Sequence, residues 1–102
     1  MQTIRVKRTT DPQFTAGAIA KAMRRRETPD EIVQVRAVGP AAVYQGINAL
    51  MLAKSYLAAD DPSRQLFFTI SEERKSDELD PGRMITSTIF NLAWKAAFHV
   101  GV

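Results

Sequence analysis

Residues 32–58 read IVQVRAVGPAAVYQGINALMLAKSYLA, and the way this stretch divides decides the fold. Ile32 to Val38 is short and rich in β-branched residues, the composition of a strand. Gly39 ends it where the chain must bend without a Cβ penalty, and Pro40 presets φ for a first helical turn. From there Val43, Ile47, Leu50 and Leu57 form an apolar stripe at helical spacing, with Ala42, Gly46, Ala49 and Ala53 beside it as a strip of small residues. Small residues on a helix face admit a close neighbour. The earlier AGAIAKAM segment, with Ala16, Ala20 and Met23 at helical spacing, offers a matching smooth surface. The stretch is expected to be a strand, a one-glycine turn and a helix over about residues 40–58, with a second helix alongside.

Working outward, Ile4 and Val6 alternate with Thr3, Arg5 and Lys7, the period of a strand with one buried face. Asp11-Pro12 is a helix start, and that helix runs to about Glu27 because the residue before Pro29 avoids the helical region. Downstream, Asp60-Asp61-Pro62-Ser63 reads as a turn and Leu66 to Ile70 as a third strand. Glu72 to Gly82 holds five carboxylates and closes on Pro81-Gly82, so it is expected to be a polar loop or hairpin arm with Arg74 and Lys75 at its tip. Met84 to about Trp94 reads as a long strand, with Thr86, Thr88, Phe90, Leu92 and Trp94 on one face and Ile85, Ile89 and Ala93 on the other. Apolar groups on both faces fit an interior strand, or an edge paired with a partner.

Right-handed crossovers put both helices on the same side of the sheet. The expected fold is α/β: a βαβαββ two-layer sandwich with two helices on one face of a four-stranded mixed sheet. If Ile4, Val6, Val33 and Val35 face the helices, then Arg5, Lys7, Gln34 and Arg36 face away. That leaves a basic sheet face, or a face covered by another subunit.

The length of 102 residues supports one domain, residues 1–102, with 45% hydrophobic and 25% charged residues in the ordinary globular range. No apolar run approaches the roughly 20 residues of a membrane span, and no charged n-region precedes an apolar one, so a cytoplasmic protein without a membrane partner is expected. With no cysteine and a single histidine, neither a disulfide nor a protein-built metal site is expected, and no cofactor is implied. His99 has no nucleophile or metal partner near it in sequence, and Asp60-Asp61 and Asp77-Glu78 lie in turns. No catalytic residue is assigned, and the chain does not read as an enzyme. The net charge of +3 is unevenly spread: residues 1–54 carry nine basic against four acidic residues, and the remainder five against seven. The basic character belongs to the first βαβα unit.

DPQFTAGAIAKAMR (11–24) followed by VQVRAVGPAAVYQGINALMLAKSYL (33–57) resembles the bacterial stage V sporulation protein S family. The resemblance rests on Ala16-Gly17-Ala18, Gly39, Ala41-Ala42, Gln45 and Ala49, within residues 3–58. It implies a fold similar to Alba, the archaeal chromatin protein, and a regulator of sporulation or gene expression that binds DNA or RNA as a homodimer or homotetramer. It also makes the loop after the first strand, with Lys7 and Arg8, a contact region, where cations neutralise phosphates. Arg36 beside Gly39-Pro40, at a helix start whose N–H groups favour an anion, is a third candidate. Gln45 and Asn48, three apart on the second helix, can project from one side for recognition or for a dimer contact. Arg74 and Lys75 lie where Alba-like proteins reach towards a groove, though the carboxylates around them repel phosphate. Each candidate also has a plainer reading: a solvated strand end, a tight turn, an exposed helical edge, a solvated hairpin. Phe90, Leu92, Trp94 and Phe98 are many large apolar groups for one chain end, which points to self-association with residues 95–102 as an interface-forming tail. The alternative function is a self-associating interaction module without direct nucleic-acid binding.

Overall fold

The computed structural model describes residues 1 to 96. Strands β1 (Gln2–Val6), β2 (Val33–Val38), β3 (Arg64–Ser76) and β4 (Met84–Ala96) and helices α1 (Pro12–Arg25) and α2 (Pro40–Asp60) follow in the order β1-α1-β2-α2-β3-β4. The sheet order is β1-β2-β4-β3, with β1 parallel to β2 and β4 antiparallel to both of its neighbours. This is the expected α+β sandwich with a mixed sheet, and β4 is an interior strand.

Local chemistry sets the element ends. Asp11 caps α1, its Oδ1 accepting a hydrogen bond from the Gln13 N–H at 2.9 Å. The helix stops at Arg25, short of Glu27. Arg26 turns extended there, and its guanidinium donates to the carbonyl oxygens of Pro29 and Glu31 at 2.8 and 3.0 Å. Gly39 has φ of 88°, a region that side-chain-bearing residues avoid.

The core lies between the helices and one sheet face. Val6, Val33, Val35, Phe90, Leu92 and Leu66 are all buried, and Phe90 meets the Phe68 ring edge to face at 5.4 Å. On α2 the small strip, rather than the apolar stripe, centres on this core: Ala42, Gly46, Ala49 and Ala53 are buried, whereas Ile47 is 42% exposed. A Cβ at Gly46 would lie 3.4 Å from the Phe90 ring, so this strip admits the sheet as well as the neighbouring helix.

The polar stretch after Ile70 is not a loop from Glu72 onward. β3 continues in register with β4 as far as Ser76↔Met84, and only Asp77 to Arg83 forms the turn, closed by the Asp77 N–H to the Arg83 carbonyl at 2.8 Å. A ladder partner already in place overrides the weak strand preference of these residues. β2 ends at Val38 opposite Ser87, so the last pairs, Arg74↔Thr86 to Ser76↔Met84, project past the sheet as an arm. Arg74 and Lys75 therefore sit in the arm's strand and not at its tip.

The end of β4 hides most of its large apolar groups within a single chain. Phe90 and Leu92 are hidden within one chain, and Trp94 packs against the core with the Arg64 guanidinium 4.1 Å from its ring centroid. Phe98 and the rest of the tail from residue 97 on lie outside the described residues. The exposed large apolar side chains include Phe14, Tyr44, Met51 and Leu79. No helix among the described residues is long and apolar enough to cross a membrane.

The packing gives a direct stability test. Phe90→Ala should lower the unfolding free energy by about 3–5 kcal/mol. Phe14→Ala, at a side chain 80% exposed, should stay within about 0.5 kcal/mol of wild type. Urea denaturation compares the two, and equal losses would contradict the core assignment.

Candidate nucleic-acid interface

Because β1 and β2 run parallel, in register from Gln2↔Val33 to Val6↔Ala37, their C-terminal ends open at one edge of the sheet. The chain leaves β1 there through Lys7 and Arg8, and leaves β2 through Gly39 into α2. Between these exits lies a cavity of about 510 Å³. Four cations, Arg5, Lys7, Arg8 and Arg36, line it, and its apolar surface comes from Val6, Val38, Pro40 and Ala41.

The loop carrying the cations is braced. The Lys7 N–H donates to Thr10 Oγ1 at 2.9 Å, and the Thr10 N–H returns a bond to the Lys7 carbonyl at 3.0 Å. Gln45 Nε2 donates to the Arg8 carbonyl at 3.3 Å, so this glutamine ties α2 to the loop. Asn48 lines a separate groove with Asp11, Gln13 and Met51, and the two amides do not form one site. The first turn of α2 has no side-chain cap, unlike α1, and its free N–H groups face this end of the sheet.

Arg5 and Arg36 are register partners, which places two cationic residues opposite each other on adjacent strands. Glu73 from β3 offsets that repulsion. Arg36 donates through Nη1 and Nη2 to the two Glu73 carboxylate oxygens at 3.3 and 2.9 Å, and Lys75 Nζ lies 3.4 Å from Oε1. Hydrogen bonding from Arg36 holds the Glu73 carboxyl below its ordinary range, with Lys75 adding a smaller contribution, and the same pairing raises Arg36. Beside this pair, on the face away from the helices, Gln34 Nε2 donates to Asn91 Oδ1 at 3.0 Å and Asn91 Nδ2 to Ser71 Oγ at 3.1 Å.

Of the residues singled out from sequence, Lys7, Arg8 and Arg36 meet at the cavity, and Gln45 supports it from behind. Arg74 and Lys75 do not line it: Arg74 Nε reaches Thr86 Oγ1 at 3.4 Å, and Lys75 lies on the other face of the arm with Glu73. Arg5 was legible as a site residue, since the alternation of β1 puts it on the same face as Arg36. Glu73 was not, because it meets Arg36 across 37 positions through a strand extension that composition hides. Asp60 pairs with Arg24, and Asp61 pairs with Arg64 and accepts from Ser63. Among the described residues no group of three or more His, Cys, Asp or Glu could hold a metal ion.

The sequence model of the family described as stage V sporulation protein S (SpoVS) matches residues 2–66. The chain belongs to the SpoVS family. The match runs from β1 into the start of β3, so the SpoVS region takes in Lys7, Arg8, Arg36 and Gln45 and leaves the arm outside it. No individual curated protein matches the chain.

The ion pair makes a pH-dependent prediction. Above the ordinary carboxylate range Glu73 is ionised in both the folded and the unfolded chain, and the contribution of the pair to stability is fully present. As the pH falls the unfolded chain takes up the proton first, and the contribution is lost through the lowered folded value. Wild type should therefore be more resistant to urea than Glu73→Gln at neutral pH, with the gap closing in acid. A gap that stays constant down to pH values well below the carboxylate range would refute the assignment.

Proposed function

We propose that this protein is a small nucleic-acid-binding regulator within its sporulation-related family, holding the phosphate backbone of DNA or RNA at the basic end of its sheet. The observation that carries the reading is the convergence of Arg5, Lys7, Arg8 and Arg36 with the uncapped start of α2 around one cavity. Lysine and arginine at such a rim neutralise phosphates and release counterions, and free helix N–H groups add donors for the same oxygens. Arg36 already presents its fork to a carboxylate, the geometry in which a guanidinium also takes a phosphate. The cations come from strand ends and a loop, with no row of side chains arranged to read base edges. Binding is therefore mainly to phosphates and weakly sequence-specific. The reading needs no metal, cofactor or catalytic step, and it places the protein in the cytoplasm as a homodimer or homotetramer.

The alternative, a self-associating interaction module, draws support from Phe14, Tyr44 and Met51, which are exposed on the helix layer and do not line the basic cavity. A salt titration separates the two. Lys7→Ala and Arg8→Ala should each weaken DNA or RNA binding across sequences and reduce the slope of log affinity against log salt by about one, and Arg36→Ala, at a guanidinium shared with Glu73, should weaken it with a smaller change in slope. Arg74→Ala and Lys75→Ala should do less. If only the arm pair matters, the strand-end site is wrong. If wild type binds neither nucleic acid, the interaction module takes its place.

A further inference from the structure

The cavity at the basic end has a chemistry that phosphate uses only in part. A phosphodiester engages the cationic rim and leaves the apolar floor of Val38, Pro40 and Ala41 in water, with Val38 56% exposed. A ligand that satisfies both is an apolar side chain flanked by carboxylates. The tip of the β3–β4 arm has this composition: Asp77-Glu78-Leu79-Asp80, with Leu79 96% exposed. The turn is built rather than loose. The Leu79 N–H donates to Asp77 Oδ1 at 3.0 Å, the Arg83 N–H to the Asp80 carbonyl at 2.9 Å, and Ser76 Oγ to the Pro81 carbonyl at 2.9 Å. Leu79 is thereby held outward among three carboxylates, and it does not line the cavity of its own chain.

We propose that the arm tip of one copy seats Leu79 in the basic-rimmed cavity of a second copy, and receives the second copy's tip in return. Three carboxylates then face Arg5, Lys7 and Arg8, while Arg36 stays with Glu73. Arm and cavity lie at the same end of the sheet, since the arm leaves beyond Ser87 and Ser87 itself lines the cavity. A twofold axis can therefore satisfy both contacts at once and close the assembly at two chains. The proposal uses the cavity of the phosphate reading but does not require nucleic acid to bind there; if it does bind, the two ligands compete for the same cations.

Sedimentation velocity at high micromolar concentration tests it, with wild type compared to Leu79→Asp at low and high salt. Leu79 is exposed in the monomer, so the variant keeps its fold, which circular dichroism verifies. The expected result is a dimer that weakens with salt and a dissociation constant raised about tenfold or more by Leu79→Asp. The chain has no cysteine, so a mixture of Leu79→Cys and Ala41→Cys should form a disulfide between chains on mild oxidation. A mixture of Leu79→Cys and Ser55→Cys, at a site far along α2, should not. A wild type that stays monomeric, a dimer indifferent to Leu79→Asp, or equal cross-linking at both positions overturns the proposal. Nucleic-acid binding by a protein that never dimerises would overturn this inference and keep the phosphate reading. A Leu79-dependent dimer that binds no nucleic acid would do the reverse.

Discussion

Phe90 is fully buried in β4 with Gly46 of α2 against its ring, and the placement of both layers follows from that contact. β4 lies between β2 and β3, so Phe90 stands in the middle of the sheet, in register with Val35 on one side and Ile70 on the other. A helix can settle low over a large ring only where its own surface is small, and Ala42, Gly46, Ala49 and Ala53 supply four such positions over three turns. Leu50 and Leu57 then reach the core from the flank of the same helix. With α2 fixed over the sheet's centre, its first residues start where β2 ends. That brings Pro40 and Ala41 beside the loop of Lys7 and Arg8.

Much of this was legible in the chain because punctuation and period agree. Asp11-Pro12, Thr28-Pro29 and Gly39-Pro40 mark element ends, and Ile4/Val6 and Val33/Val35 carry the strand alternation. The buried side of α2 was harder. That helix is apolar nearly all round, so periodicity alone could not choose between the Ile47 side and the Gly46 side. The choice is made by the sheet beneath, which has a phenylalanine where the helix must come close. The length of β3 was hidden for a different reason: Glu72-Glu73-Arg74-Lys75 has no strand signature of its own and is extended because β4 already offers a partner ladder.

The functional surface divides along the same line. Cations at the ends of two parallel strands could be placed from sequence, since parallel neighbours finish at one edge. Which of them remains unpaired could not. Arg36 is taken up by Glu73 through the extension of β3 along β4, so the local charge of the site depends on long-range register. A partly exposed ion pair of this kind makes a modest contribution to stability. This one matters more for where the charge of Arg36 is directed. On the same face Gln34, Asn91 and Ser71 are joined by lateral side-chain hydrogen bonds, and Ile89 is 6% exposed between its register partners Arg36 and Ser71.

Both helices follow strands that end at the same edge, so α1 and α2 begin at the same end of the molecule. Each helix start carries a partial positive charge of roughly half a unit from its aligned peptide dipoles. Asp11 answers that charge on α1, whereas α2 has neither a capping side chain nor an acidic residue in its first turn. Part of the positive field at this end therefore belongs to the backbone. It cannot be titrated, covalently modified or substituted away while the fold stands. Neutralising every lysine and arginine there would reduce the attraction for anions, but the connectivity of the chain would keep a remnant of it.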